Sequence, residues 1–447
     1  MSLPRYQGYK NSGIAWLGDV PSHWEVIRYK ELFAERNERS TEGGETLLSV
    51  SAYTGVSPRA DIIDEGDFLS RAESLEGYKV CYPNDLVMNI MLAWNRGLGF
   101  SAYHGIVSPA YSVFSLKRKD NPRFLDYLVR EDKTTLQFKA YSSGVIESRL
   151  RLYPEVFGAL SCSVPPPEEQ EAIATFLDRE TAKIDALVAE QEKLLTLLAE
   201  KRQATISQAV TKGLNPDVPM KDSGVEWLGE VPAHWGHRKK LLDLVTSHRH
   251  SFVNGPFGSD LLTSELVSDG VPVIYIRDIK QSGYCRVSEW CVTEEKAAQL
   301  QFCNVLPGDV LVAKVGDPPG LAAVYPQNEP NGIITQDVIR LRLDICKADG
   351  NYVCWLLNSK YGQTAIDQIS VESTRTRVGL GEYKQLRFFI PPLKEQQAIS
   401  IFLDKEMGRL DALTVEALRA IGLLKERRTA LISAAVTGKI DVRHLAN

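Results

Sequence analysis

Apolar side chains return alternately three and four residues apart through Ile173, Leu177, Ile184, Leu187, Leu194 and Leu198, with Glu180 and Gln191 at the same spacing and Lys201 and Thr205 extending it. That alternation keeps one stripe of a helix facing a partner, so it predicts a long helix with a heptad seam. The seam returns as Ile399, Leu403, Glu406, Leu410, Leu413, Ala417, Ala420 and Leu424, followed by Arg427 and Leu431. Prolines at 165–167 and 391–392 precede the two stretches, Glu168, Glu169 and Glu395 occupy the first turns, and Gly213 and Gly438 close the last. These are start and stop signals of helices of roughly 45 residues, each about 65–70 Å long, or near two turns of B-form DNA. Matching register makes an antiparallel pair within one chain the economical packing. The alternatives are that each seam packs on its own globular block or that the seams drive a homodimer. Charges at equivalent seam positions, Glu180 with Glu406 and Lys201 with Arg427, read as register-setting.

Elsewhere the period drops to that of strands. In the first half strands are expected near 46–52, 85–92 and 111–116, with a short helix near 123–131. In the second half they are expected near 272–277, 309–315, 320–325 and 333–343, with a helix near 350–361. The fold class is α+β: two similar globular domains with mixed β-sheets and two long helices in an antiparallel coiled coil, arranged as an internal pseudo-two-fold repeat.

The repeat is explicit. KNSGIAWLGDVPSHW at 10–24 returns as KDSGVEWLGEVPAHW at 221–235, ten of fifteen positions identical, and PPPEEQEAIATFLDRETAKIDAL at 165–187 returns as PPLKEQQAISIFLDKEMGRLDAL at 391–413. The offset grows from 211 to 226, so the second copy carries fifteen extra residues between its paired segments. A repeat this long is a duplicated domain, not a solenoid. The predicted organisation is a variable domain over 1–165, a helix over 166–215, a second variable domain over 216–390 and a second helix over 391–447. Trp16, Trp24, Trp227 and Trp235 recur in both copies, which assigns them to the core.

Composition is that of a globular protein, 44% hydrophobic and 24% charged over 447 residues. No apolar run reaches the roughly 20 residues of a membrane span and the start carries no leader pattern, so a cytoplasmic protein is expected. Seven cysteines without close pairing read as reduced and mostly buried thiols. The net charge of −5 divides into about −1, −3, −3 and +2 over 1–165, 166–221, 222–390 and 391–447. Neither variable block is strongly acidic, and a nucleic-acid reader needs a basic face rather than a basic total, so charge neither predicts nor excludes DNA.

No catalytic constellation stands out. Asp317–Pro318–Pro319–Gly320 is like the loop that holds a target amine in amino-methyltransferases, but Gly320 stands where an aromatic is needed and no glycine-rich cofactor loop precedes it. A turn between strands is the better account. His248 and His250 lack a carboxylate or cysteine at ligand spacing, so no metal is expected. The residues alone leave open a DNA reader, a stand-alone DNA-modifying enzyme and a coiled-coil assembly protein without a DNA role.

The two Trp-Leu-Gly segments and the two Pro-Pro segments that open the long helices together resemble the specificity subunit of type I restriction-modification systems. The stretches 254–261, 270–279 and 308–325 are similar to one class of target-recognition domain in that family. The resemblance runs along essentially the whole chain. It implies a non-catalytic reader of double-stranded DNA with two target-recognition domains held apart by the helices. It also implies two modification subunits that bring S-adenosylmethionine, restriction subunits that use ATP and Mg to translocate and cut DNA, and no cofactor on this chain. Unequal readers at a fixed separation predict a split, asymmetric site with an unread gap, the target adenine being flipped into the modification subunit.

The candidate DNA-binding residues are polar, basic or aromatic and fall in loops or at strand ends. In the first block they are Trp94, Asn95, Arg96, His104, Ser143, Arg149 and Arg151. In the second they are Arg249, His250, Asn254, Arg277, Lys314, Gln336, Thr374, Arg375 and Arg377. Arg149 and Arg375 correspond between the copies in loops that contain serine or threonine, which makes them the foremost candidates.

Overall fold

The computed structural model describes residues 3–52, 55–61, 74–146, 149–256, 258–316, 318–370 and 378–445. Residues 1–192 with 418–447 form one compact unit, and residues 193–417 form the other. Both long helices contribute to both units.

The first unit centres on an antiparallel sheet of β1 (Phe33–Arg36), β2 (Leu86–Asn89), β3 (Leu98–Phe100) and β4 (Tyr111–Leu116), in the order β1-β4-β2-β3. Helix α1 (Pro122–Arg130) packs beside it, starting at Asn121, whose side chain accepts from the backbone N–H groups of Arg123 and Phe124. The second unit repeats this sheet with β5 (Phe252–Asn254), β7 (Val310–Ala313), β8 (Ala322–Val324) and β10 (Val338–Leu341), in the order β5-β10-β7-β8, strand β6 (Val271–Ile274) belonging to a second sheet. In that second sheet β6 runs parallel to β9 (Gly332–Ile334), so the unit is mixed. Among the described residues of the first unit the parallel character is confined to the isolated bridge Leu47–Ile106. The equivalent of α1 is α3 (Gly350–Asn358), capped by Asp349.

One expected strand is two. The apolar run 333–343 breaks at Thr335, whose carbonyl accepts from Val338 N–H at 3.0 Å while its hydroxyl donates to the Ile274 carbonyl at 2.9 Å. The turn sends β9 and β10 into different sheets, which period-two patterning cannot register because every residue of both strands is buried.

The long helices are α2 (Pro167–Lys212) and α4 (Leu393–Val436), 46 and 44 residues. Their seams are buried at the starts of the helices and only partly covered further along, where Leu198 and Ala417 are buried but other seam residues are not. Ile173, Leu177 and Ile184 lie in the first unit and Ile399, Leu403 and Leu410 in the second, all buried, whereas Leu187, Leu194 and Leu413 are exposed. The C-terminal turns are buried instead. Ile206, Ala209 and Val210 join the second core, and Ala435 and Val436 join the first. Each unit thus holds the start of one long helix and the end of the other, tied by Arg428 with Asp185 in the first unit and Arg202 with Asp411 in the second.

Gly213 and Gly438 end the helices at positive φ, +74° and +70°. A Cβ at Gly438 would come within 2.3 Å of Pro21. Glycine there serves both the left-handed turn and the close approach. Beyond it the chain meets its own beginning: Asp441 N–H donates to the Pro4 carbonyl at 2.8 Å, Val442 enters the first core, and the Arg443 guanidinium lies 5.2 Å from the centre of the Tyr6 ring.

Cys81, Cys162, Cys291, Cys303 and Cys354 are buried, while Cys285 and Cys346 are exposed. Burial pushes the thiols of Cys81 and Cys303 up to about 11 and about 12. A thiol-specific chromogenic reagent at pH 8 is therefore expected to titrate two cysteines rapidly in native protein and all seven in urea. A third fast thiol would show that one of the cores opens.

Candidate nucleic-acid interface

The repeated fifteen-residue segment is a strand pair with the same register in both units, Tyr9 with Pro21 and Met220 with Pro232. Asn11 and Asp222 each accept from the glycine N–H two residues on, at 2.8 and 2.9 Å, so the exchange of asparagine for aspartate keeps the one oxygen the turn uses. The segment ends in a latch. Trp24 Nε1 donates to Glu169 at 2.9 Å and His23 Nε2 lies 2.7 Å from the other carboxylate oxygen. Trp235 and His234 hold Glu395 in the same way, at 3.1 and 2.8 Å.

The next residue fastens the variable block. The Gln170 side chain accepts from Asn121 N–H at 2.7 Å and donates to Asp120 and the Pro165 carbonyl. Gln396 accepts from Asp349 N–H at 2.9 Å and donates to the Lys347 and Pro391 carbonyls. Glu169–Gln170 and Glu395–Gln396 therefore set the start of each long helix against its sheet and against the cap of α1 or α3. Of these, only the glutamates were singled out from the sequence, and only as first-turn charges. The signal for more was present, since Glu-Gln recurs in both copies together with His-Trp.

Of the four repeated tryptophans, Trp24 and Trp235 are core, as expected. Trp16 is half-buried, and Trp227 is 41% exposed, its ring 5.6 Å from that of Tyr361, so the core expectation fails for Trp227. Its neighbour Tyr361 is buried in the second core, so the Trp227 ring lies against that core from outside.

The two sheets share a further feature that the sequence reading missed. Asp85 and Asp309 precede β2 and β7, and each accepts from the backbone N–H three residues back at 2.9 Å. Each also pairs with an arginine through two hydrogen bonds: Arg36 at 2.9 and 3.2 Å, and Arg342 at 3.0 and 2.8 Å. In the second unit Asp309 faces a second cation as well. Arg340, 1% exposed on β10, sits 4.0 Å from Asp309 and donates to the carbonyls of Asn304 and His250. Burial, with the like charge of Arg342 behind it, pushes the Arg340 guanidinium down to about 10. The cation level is common to both units while its strand differs: Arg36 on the edge strand lies beside Val113, and Arg340 on the inner strand lies beside Val253.

The predicted contact residues fall at three places in the first unit. Trp94, Asn95 and Arg96 form a tight turn after β2, with Trp94 Nε1 donating to the Met91 carbonyl and its ring under the Lys139 ammonium. Arg96, at φ +60°, is paired with Asp132. His104 is exposed and stacks on Tyr82. Ser143 and Arg151 bridge a small exposed hairpin that also carries Arg149.

In the second unit Arg249 is exposed, and His250 is half-buried against Phe302 with its carbonyl held by Arg340. Asn254 donates to the Gly255 carbonyl, and Arg277 is exposed, donating to Ser288 and lying over Tyr275. Gln336 is half-buried in the turn between β9 and β10. Lys314 is 5% exposed, at the buried end of β7, and so is not displayed at the surface. Thr374, Arg375 and Arg377, with Asp317 of the turn motif, lie outside the described residues.

Two hollows differ in charge. The larger, about 790 Å³ in the first unit, brings Arg96, Arg123, Arg130 and Arg428 together with Asp126, Asp132, Asp178 and Asp185. Its arginines are paired with these acids. The smaller, about 380 Å³ in the second unit, is lined by His248, Arg249, Lys347 and Lys384 against the one carboxylate of Asp243. It is the better fit to a phosphate. Among the described residues no group of three or more His, Cys, Asp or Glu could hold a metal ion, and no helix is long and apolar enough to cross a membrane.

No family model matches the chain. Curated relatives do. The chain is 20% identical over 348 residues to the StySPI specificity subunit of Salmonella potsdam, a type I restriction enzyme component, covering 77% of this chain and 69% of that one. It is 20% identical over 455 residues to the MjaVIII specificity subunit of Methanocaldococcus jannaschii, covering 95% of each. It is 22% identical over 381 residues to the EcoBI specificity subunit of Escherichia coli, covering 82% of this chain and 76% of that one. Among solved structures, a chain from a study of complex assembly and conformational transition in the type I R-M system matches with a TM-score of 0.65 at 17% identity, covering 93% of this chain and 98% of that one. The HsdS subunit from Thermoanaerobacter tengcongensis matches with a TM-score of 0.56 at 18% identity, covering 94% and 98%. In sequence over most of its length and in fold, the chain is a relative of the type I restriction enzyme specificity subunits.

Proposed function

We propose that this chain is the DNA-specificity subunit of a type I restriction-modification complex. Each unit reads one half of a split, asymmetric site, and the long helices set the unread gap. The observation that carries this reading is the contrast between frame and face. The hairpin, the Trp-Glu latch, the Gln clasp and the aspartate before the second sheet strand are repeated, while the exposed side chains differ. A common frame with unequal faces suits two related readers of different sequences. Phosphate contacts fall to the basic hollow of the second unit and to Arg149 and Arg151 in the first, and base contacts to the neighbouring loop side chains.

The chain itself is non-catalytic in this proposal. Two modification subunits bring S-adenosylmethionine and accept the flipped adenine, and restriction subunits use ATP and Mg to translocate and cleave. The exposed apolar residues of the long helices, Leu187, Leu194 and Leu197 with Leu413, Leu418 and Leu423, offer partner helices a docking surface.

The test is base-resolved methylation sequencing of a methylation-free bacterium that expresses the chain with its modification subunit, against the modification subunit alone. Methylated adenines confined to one split asymmetric motif, only when the chain is present, are the expected result. Arg375→Ala or Arg377→Ala should relax one half of that motif and leave the other intact. An assembled complex that yields no motif would instead favour an assembly protein without a DNA role.

A further inference from the structure

Ser143 and Arg151 exchange both backbone hydrogen bonds, at 2.9 and 3.0 Å, and close a hairpin at the surface of the first unit. Its base is tightly built: a Cβ on Gly144 would come within 2.6 Å of the Arg149 carbonyl oxygen, and Arg149 N–H donates to the Ile146 carbonyl at 2.9 Å. On this fixed base stand Val145, 98% exposed, and Ile146, 53% exposed. A loop that needed only to turn would be served by glycine, asparagine, aspartate or serine, whereas β-branched apolar side chains held in water forgo the free energy that burial releases. Their burial therefore belongs to a bound state.

The rim around the tip says which partner. Arg149 and Arg151 are exposed on the returning arm, and the segment carries two arginines against the single Glu147. An apolar tip flanked by guanidinium groups complements a groove whose walls are phosphates and whose floor is bases. We propose that this hairpin is a DNA probe. Val145 and Ile146 enter a groove and press on the apolar parts of the bases, a thymine methyl or an opened base step, while Arg149 and Arg151 hold phosphates beside it. The proposal rests on the DNA-reading function above and adds the contact through which the first unit makes it. A protein partner on the same tip is the competing occupant.

The experiment places a photo-crosslinking residue in the full chain, expressed in cells with its modification subunit: Val145→p-benzoylphenylalanine in one strain and Arg249→p-benzoylphenylalanine, in the basic hollow of the second unit, in another. A nuclease-sensitive adduct at 145 is the expected result. An adduct at 145 that resists nuclease and contains a second protein, or none at 145 while 249 links to DNA, overturns the probe and leaves the DNA-reading function standing. DNA adducts at neither position overturn both. In the purified complex the double substitution Val145→Ser with Ile146→Ser should weaken binding to the methylated motif by roughly tenfold without changing the salt dependence, because the phosphate contacts remain. Unchanged affinity would overturn the proposal.

Discussion

Trp24→Ala is expected to destabilise the chain by about 3–5 kcal/mol, the range for deleting a large buried aromatic. Trp24 is fully buried, packs edge-on to Tyr6 and Phe124, and donates to Glu169, so truncation opens a cavity and removes a donor from a buried carboxylate. The comparison is Trp227→Ala, at the exposed member of the same repeated motif, which should change stability by no more than about 1 kcal/mol. Urea unfolding of the two variants decides. If both unfold at the same urea concentration, the latch does not hold the unit together.

Asp309→Ala should cost a similar amount for a different reason. Arg340 is buried, and its Nε has no hydrogen-bond partner. Removing Asp309 takes away the carboxylate nearest it and leaves an uncompensated internal cation, a change that costs about 3–5 kcal/mol when one partner of a buried pair is lost. The double variant Asp309→Ala with Arg340→Met should recover much of the loss, because the remaining partner, Arg342, lies nearer the surface and can be solvated. A double variant as unstable as the single would show that the cost comes from the turn at Leu306, whose N–H Asp309 also accepts.

How much of this was legible depended on whether the signal was local. The ends of α2 and α4 were written in proline, acid and glycine, and β2, β4 and α1 fell where alternation and apolar runs put them. The burial of the seam was not local. Leu187 and Leu413 occupy ideal seam positions yet are exposed, while Leu198 and Ala417 at the same spacing are buried, so heptad spacing alone does not say which seam residues find cover. The break between β9 and β10 was hidden since apolar residues on both sides of Thr335 read as one strand. Arg340 was hidden too: a single arginine in a strand looks like an outward residue until its neighbours on both sides prove to be inside. The latch could have been read from Glu-Gln and His-Trp recurring together, but the sequence does not say which residues meet across 145 positions. For the candidate contacts, spacing placed Arg149 and Arg151 in an exposed loop, but it could not tell an arginine already paired, such as Arg96, from one held outward.

The meeting of Asp441 with Pro4, and the entry of Ala435, Val436 and Val442 into the first core, has a consequence for synthesis on the ribosome. The second unit needs nothing beyond residue 417, while the first waits for residues from 418 onward. The domain begun first is therefore finished last. During elongation its Trp24 motif lacks the helix end that covers it, and a chain truncated after residue 417 and released would hold a complete second unit and an open first one. Here the usual order of domain folding from the N-terminus is reversed.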